Sequence, residues 1–215
     1  MKKYIIAILT FLFLVTIPAK AANWGNIGVS LMVGEFDTSG SESEKSGNVG
    51  PETNSTTVTE QFAGASVFYE LDIGPLTFGI DYVPTSVSLG DGKRTDASTD
   101  ADVASEADTG DRSASAEAND IMALYVNVPV GPVYAHLGYF EADIETTESL
   151  PNSTYGNKSV DSYQLGVGME INDNAKVEFM YTDIDEFTLT STSGSSSVTA
   201  DPEIMTLRLK YTFGG

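Results

Sequence analysis

Residues 204–213, IMTLRLKYTF, alternate strictly between apolar and polar side chains. One face of the extended chain would carry Met205, Leu207, Leu209, Tyr211 and Phe213, and the other Thr206, Arg208, Lys210 and Thr212. Successive side chains of a β-strand point to opposite faces, so this pattern predicts a strand with one apolar and one polar side. A bare edge strand of this kind is an aggregation hazard in water, and we therefore expect it to be paired.

The same alternation recurs in seven earlier segments, at residues 26–36, 61–71, 76–83, 121–128, 133–142, 162–171 and 175–182. Long connections rich in Ser, Thr, Asp, Glu, Gly and Asn occupy residues 37–60, 84–118, 143–160 and 183–202. Short turns, two of them marked by Gly-Pro, alternate with them at residues 72–76, 128–133 and 171–175. The sequence therefore predicts an all-β fold: an eight-stranded antiparallel up-and-down barrel with four long loops at one end and three short turns at the other.

The chain opens with MKKYIIAILTFLFLVTIPAKA, residues 1–21. Two lysines, an apolar run over residues 5–17 and the small-residue site Ala19-Lys20-Ala21 follow the order of a secretory signal peptide. The alternative is a membrane anchor, but the run has only 13 residues and a spanning helix needs about 20. We predict a cleaved signal peptide over residues 1–21 and one barrel domain over residues 22–215.

The composition narrows the possible partners. The formal net charge is −20, and removal of the three signal-peptide lysines leaves eight basic residues against 31 acidic ones. Nucleic acid is excluded as a partner, because its recognition needs a basic surface. The absence of cysteine excludes disulfides and thiolate metal sites. No apolar stretch after the signal peptide approaches 18 residues, so no transmembrane helix is predicted.

Alternation alone does not say which face of the barrel meets solvent. A soluble, lipocalin-like barrel would bury its apolar face, whereas a membrane barrel turns that face to lipid and fills its lumen with polar and small residues. The polar faces here mix glycines with charges of both signs, which fits a narrow lumen closed by ion pairs. The predicted lumen cluster comprises Glu70, Asp81, His136, Glu170, Lys176, Glu178, Arg208 and Lys210. The asymmetry between long loops and short turns favours the membrane version as well.

The aromatic residues of the apolar face gather at two levels. Those near the short turns are Tyr69, Phe78, Tyr211 and Phe213, and those near the long loops are Tyr82, Tyr139, Tyr163 and Tyr181. A lipid-embedded barrel carries aromatic girdles at both interfaces between headgroups and hydrocarbon. We therefore predict that these eight side chains face lipid.

In its alternation, its loop asymmetry and its aromatic last strand LRLKYTF, the chain resembles the small bacterial outer-membrane β-barrels of the OmpA/OmpX type. The resemblance covers the whole predicted mature chain. It implies a place in the outer membrane of a Gram-negative cell, contact with outer-membrane lipid, and recognition of the last strand by the β-barrel assembly machinery. The family usually ends on the aromatic residue, whereas here Gly214 and Gly215 follow Phe213. Pairing of the last strand with residues 27–36 would close the barrel and remove both edges.

Few residues offer catalytic or metal-binding chemistry. His136 is the only histidine, it falls on the polar face between Tyr134 and Gly138, and no serine occupies the same face two residues further on. We predict a hydrogen-bonding interior histidine, no enzyme activity, no cofactor and no metal site. Residues 96–103, DASTDADV, lie in an acidic loop but lack the glycine and terminal glutamate of an EF-hand, which leaves weak divalent-cation binding open.

The interior of an eight-stranded barrel is just wide enough for its own side chains. Glu178 is expected to pair with Arg208 or Lys210 on the neighbouring strand. Further inward-facing aromatic residues are expected to fill the lumen: Phe62, Phe68, Tyr125, Tyr134 and Phe140. The predicted function is therefore an integral outer-membrane protein with a largely plugged lumen that displays acidic loops at the cell surface.

Two alternatives stay open at this point. One is a small porin that passes ions or small solutes, and the other is an outer-membrane lipid-modifying enzyme centred on His136. No pattern identifies a surface partner, and a monomer is the starting expectation for the oligomeric state.

Overall fold

The computed structural model describes residues 25–44, 52–96, 110–148, 154–192 and 196–213. The predicted signal peptide and residues 97–103 of the calcium-like segment lie outside these ranges. The strands are β1 (Asn26–Glu44), β2 (Glu52–Ile73), β3 (Leu76–Val83), β4 (Val87–Asp96), β5 (Gly110–Val130), β6 (Val133–Glu148), β7 (Lys158–Asn172), β8 (Ala175–Ile184), β9 (Phe187–Thr190) and β10 (Ser196–Phe213). Within the described ranges, no helix is long and apolar enough to cross a bilayer.

These ten segments form eight positions around one closed antiparallel barrel. β3 and β4 follow one path beside β5, and β8 and β9 follow one path beside β10, so each of these pairs is a single wall strand with a short break. β1 pairs with β10 from Ile27–Phe213 to Glu44–Ser196, which closes the wall. The predicted eight-stranded barrel is confirmed, and the C-terminal strand is paired on both sides.

The strands run further than the sequence predicted. β1 continues to Glu44 and β2 begins at Glu52, so most of the predicted loop at 37–60 is a β-hairpin. Hydroxyl groups support this extension: Thr59 Oγ1 donates to Asp37 Oδ1 over 2.5 Å. The tendency of a residue to form a strand depends strongly on its context. Here the hydrogen-bonded strands of the barrel wall extend into these polar segments. The predicted loops at 84–118, 143–160 and 183–202 likewise contain strand at both ends.

The apolar face of each strand points away from the barrel. On β1, Ile27 and Leu31 are 60% and 63% exposed. Ser30, on the opposite face of the same strand, is fully buried. This orientation is the one predicted for a membrane barrel. On the outer surface the apolar band stops where carboxylates begin, at Glu35, Glu141, Asp161, Asp183 and Glu203.

The interior has two layers. A charged layer lies in the half near the short turns, and an apolar cluster lies in the other half, formed by Ala118, Phe140, Ala142, Ile144, Val160 and Ile184. Phe140 of this cluster is one of the aromatic residues predicted to fill the lumen, whereas Ala118, Ile144, Val160 and Ile184 lie in segments predicted as loops. Most of the cluster stands on the inward face of the strand extensions, where dense packing of apolar side chains is favourable because it removes them from water.

Candidate functional site

The register of the strands brings charged side chains together inside the barrel. Seven of the eight residues of the predicted lumen cluster lie there, with Glu70, Glu178 and Lys210 no more than 1% exposed. Glu170 is the exception: its side chain is 67% exposed at the rim, 3.9 Å from Lys176 Nζ. Glu170 is in register with Lys176 but lies at the end of the β7–β8 ladder next to the turn, so its side chain is open to solvent and does not join the predicted lumen cluster.

Arg208 links three strands. Its Nε donates to Glu178 Oε2 over 2.7 Å, and its Nη1 donates to Asp81 Oδ2 over 2.5 Å. Glu178 lies directly opposite on the neighbouring strand β8, as the sequence predicted. Asp81 is on β3, three positions around the barrel from β10, so this second ion pair crosses the lumen.

A second group of bonds spans the full width of the barrel. Lys210 Nζ on β10 donates to Glu70 Oε1 and, over 2.5 Å, to Tyr125 Oη on β5. The Tyr125 hydroxyl in turn donates to Glu70 Oε1 over 2.9 Å. Lys176 Nζ reaches the other oxygen of the same carboxylate at 3.0 Å. Because β5 and β10 are four positions apart among eight, these bonds join opposite walls.

The charges in this layer balance. Three carboxylates, from Glu70, Asp81 and Glu178, face three cations, from Lys176, Arg208 and Lys210. Aromatic rings complete the layer, with Lys210 Nζ 4.1 Å from the ring centroid of Phe68 and 4.5 Å from that of Tyr125. Buried charges need partners with good geometry to offset the loss of hydration. We call these six charged residues, together with Tyr125 and Tyr134, the plug.

His136 lies against the plug, fully buried. Its Nδ1 is 2.9 Å from Asn127 Oδ1, and its ring is 4.7 Å from the ring of Tyr125 at an angle of 30°. Tyr134 donates to Glu178 Oε1 over 2.9 Å. The structure therefore gives His136 hydrogen-bonding and packing contacts inside the barrel.

Two glycines make room for the aromatic rings of the plug. Gly79 stands directly opposite Tyr125, and Gly168 directly opposite Tyr134, on neighbouring strands. A Cβ at either glycine would overlap the facing ring. The missing side chain thus makes room for each tyrosine to lie flat across the adjacent strand and reach the charges beyond it. Sequence reasoning placed Tyr125 and Tyr134 inside the barrel but missed their hydrogen bonds; the glycine opposite each one is the signal that could have found them.

Substituting Gly79 with alanine is expected to destabilise the barrel by about 1–3 kcal/mol, the usual cost of overpacking a filled interior. The new methyl group would push Tyr125 away from Glu70 and Lys210. Gly92→Ala is the matched control, because a Cβ there meets nothing within 4 Å. Urea unfolding in lipid vesicles would measure both variants, and equal stabilities would contradict the assigned seat.

The predicted girdle residues lie on the outer surface. Phe78, Tyr82, Tyr163, Tyr211 and Phe213 are exposed, and Tyr69, Tyr139 and Tyr181 are half-buried. Two edge-to-face pairs occur among them, Tyr139 with Tyr163 at 6.0 Å and Tyr211 with Phe213 at 5.7 Å. Their contact with lipid headgroups stays a prediction.

Within the described ranges, no group of three or more His, Asp or Glu side chains is placed to hold a metal ion. An open cleft of about 350 Å³ lies beyond the apolar band, lined by Ser39, Gly40, Ser41, Ser55, Thr57, Glu186, Thr199 and Asp201. Hydroxyl and carboxylate groups dominate this lining, so the cleft is polar and acidic.

The protein-family model for the outer membrane protein beta-barrel domain matches residues 7–213. A comparison with curated protein sequences finds no match. Among solved structures, the outer membrane protease OmpT of Escherichia coli is 10% identical, with 91% of this chain and 99% of that chain covered and a TM-score of 0.51.

Two further structures cover most of both chains. OprG of Pseudomonas aeruginosa is 14% identical over 87% of this chain and 97% of that chain, with a TM-score of 0.43. The attachment invasion locus protein Ail of Yersinia pestis, in complex with the heparin analogue sucrose octasulfate, is 12% identical over 88% and 99%, with a TM-score of 0.41. At such identities the likeness concerns the fold alone, and one fold hosts many functions.

Proposed function

Because the chain belongs to the outer membrane protein beta-barrel domain family, we propose that it is an integral protein of the Gram-negative outer membrane with a lumen closed to solutes. Its role in this proposal is at the cell surface, where it presents acidic strands and connections. The closed lumen separates this function from that of a porin, and the surface role is argued from the chemistry beyond the apolar band.

The observation that carries the closed lumen is the bond between Lys210 Nζ and Tyr125 Oη, 2.5 Å long, which joins opposite walls of the barrel. The ion pair between Arg208 and Asp81 crosses the lumen beside it. Beyond the plug, the apolar cluster that includes Phe140 and Ile184 fills the next layer. A permeating ion would have to displace balanced charge pairs and then enter an apolar layer that excludes water.

Conductance in a planar bilayer tests the closed lumen. The wild-type protein is expected to give no steady ion current. A Tyr125→Ala/Lys210→Ala double variant removes the bond that joins opposite walls and is expected to conduct more than the wild type. Lys158→Ala is the control, because this lysine is exposed at the start of β7, away from the plug. A steady current through the wild-type protein would favour the porin alternative instead.

The surface role is supported by the chemistry beyond the apolar band. Asp183 stands directly opposite Glu203 on the neighbouring strand, and Asp37 stands opposite Glu203 on the other side. Like charges in such positions are destabilising, so these carboxylates do not stabilise the wall, and their row, in which Asp183 and Glu203 are exposed, supports a role at the aqueous surface. The polar cleft is part of the same outward surface.

Cysteine labelling in intact cells tests this topology, since the chain contains no cysteine of its own. A membrane-impermeant maleimide is expected to label Ser55→Cys, in the cleft, and to leave Asp173→Cys, in a short turn, unlabelled until the cells are broken. The proposal includes export through a signal peptide at residues 1–21 and assembly through the C-terminal strand, on which this labelling depends. The reverse labelling pattern would contradict the proposed orientation.

The proposal assigns no catalytic role to the barrel. His136 is fully buried beside the plug, between the Asn127 amide and the Tyr125 ring, and its ring opens onto neither lipid nor solvent. A lipid-modifying activity that is present in the wild-type protein and lost in a His136→Ala variant would overturn this part of the proposal.

A further inference from the structure

Two buried hydrogen-bond acceptors converge on one glycine beside the plug. His136 is fully buried and Gln164 is 8% exposed. Neither His136 Nε2 nor Gln164 Oε1 has a hydrogen-bonding partner among the described residues. A buried polar atom without a partner costs roughly 1–3 kcal/mol, so this arrangement calls for a group that satisfies both.

The contacts on the other side of each group fix which atom points at the glycine. His136 Nδ1 is 2.9 Å from Asn127 Oδ1, a carbonyl oxygen that can only accept, so Nδ1 carries the proton and Nε2 carries a lone pair. Gln164 Nε2 donates to Thr182 Oγ1 over 3.1 Å, which turns its Oε1 the opposite way. Both orphaned atoms are therefore acceptors, and what they need is a donor.

Gly138 leaves the room for that donor. It lies directly opposite Gln164 on β7 and two residues after His136 on the inward face of β6. A Cβ built on Gly138 would lie 3.2 Å from His136 Nε2 and 3.2 Å from Gln164 Oε1. The two acceptors thus border the same small space, and an alanine side chain would take part of it.

We infer that Gly138, His136 and Gln164 form a binding site for a single internal water molecule, which donates one hydrogen to His136 Nε2 and the other to Gln164 Oε1. Water fits because it can donate one hydrogen to each of the two acceptors, and internal waters typically bridge buried polar groups in this way. The ligand is expected to be neutral, because the three carboxylates of the neighbouring plug are already balanced by three cations. This site is independent of whether the lumen conducts.

Two measurements on the full chain test the site. The first is a high-resolution crystal structure, in which a solvent peak within hydrogen-bonding distance of both acceptors is expected. The second is nitrogen NMR of the single histidine in detergent micelles, which reports directly on His136 because no other histidine exists. A protonated Nδ1 and a hydrogen-bonded, unprotonated Nε2 are expected, with magnetisation transfer from water to the Gly138 amide.

Matched glycine variants separate this site from general packing. Gly138→Ala is expected to abolish the solvent peak and the water transfer and to shift the Nε2 resonance. Gly64→Ala is the control: this glycine also points inward, its Cβ would meet Met32 at an ordinary 3.5 Å, and the water signals should persist. A protonated Nε2, no solvent peak in the wild type, or an unchanged signal in Gly138→Ala would each overturn the site. If Gly138→Ala does not fold, the solvent peak in the wild-type structure and the tautomer of His136 decide whether the site exists.

Discussion

Replacing Arg208 with methionine is expected to lower the free energy of unfolding by about 3–5 kcal/mol, the usual cost of breaking a buried ion pair from one side. The guanidinium lies 2.5 Å from both Asp81 Oδ2 and Glu178 Oε2 and is 3% exposed. Methionine retains the apolar stem but leaves two carboxylates in the interior with one cation fewer. Urea unfolding of the protein in lipid vesicles would measure the loss.

Two controls distinguish the charge from the packing. Lys158→Met removes an exposed cation and is expected to change stability little, because surface charges contribute about 0–1 kcal/mol. A double variant that adds Asp81→Asn to Arg208→Met leaves two carboxylates, Glu70 and Glu178, against two cations, Lys176 and Lys210, and is expected to recover much of the lost stability. A single Arg208→Met variant as stable as Lys158→Met would contradict the role given to Arg208 in the plug.

Replacing Leu209 with arginine is expected to destabilise the barrel by about 2–4 kcal/mol, the cost of an arginine near the bilayer midplane on the lipid face. Leu209 lies in the middle of the outward apolar row of β10 and is 47% exposed. If this outward surface met water instead of lipid, an arginine at this exposed position would be nearly neutral. The substitution therefore reports which solvent the outer surface meets.

Thr57→Arg is the matched control for Leu209→Arg. Thr57 is also exposed and points outward from a strand, but it lies beyond the apolar band, in the polar cleft. We expect its substitution to cost much less in the same vesicles. Equal effects of the two arginines would contradict the assignment of the outer surface between residues 205 and 213 to lipid.

The alternation of residues 204–213 was enough to predict the strand, its two faces and, with seven similar segments, the closed barrel. The pairing of Glu178 with Arg208 could also be predicted. Both residues lie on the polar faces of consecutive predicted strands, and consecutive strands are neighbours in an up-and-down barrel. Periodicity carries this information because side chains of a strand alternate strictly between two faces.

The bonds that cross the lumen could not be predicted in the same way. Lys210 reaches Tyr125 and Glu70 only because closure of the barrel brings β10 opposite β5 and two positions from β2. The alternation within a single strand carries no information about such contacts across the lumen. The strand extensions at residues 37–44 and 52–60 were missed because Ser, Thr and Asp are typical of loops in isolation. A neighbouring ladder overrides that preference.

The most direct test of the membrane barrel is the mobility of the folded protein on SDS gels before and after boiling. Closed membrane barrels often resist SDS until they are heated. We predict that the chain folds only in the presence of detergent or lipid, and that its band then shifts on boiling. A chain that is folded and soluble without any amphiphile would contradict the account, because the outward row from Met205 to Phe213 would then have no apolar environment to face.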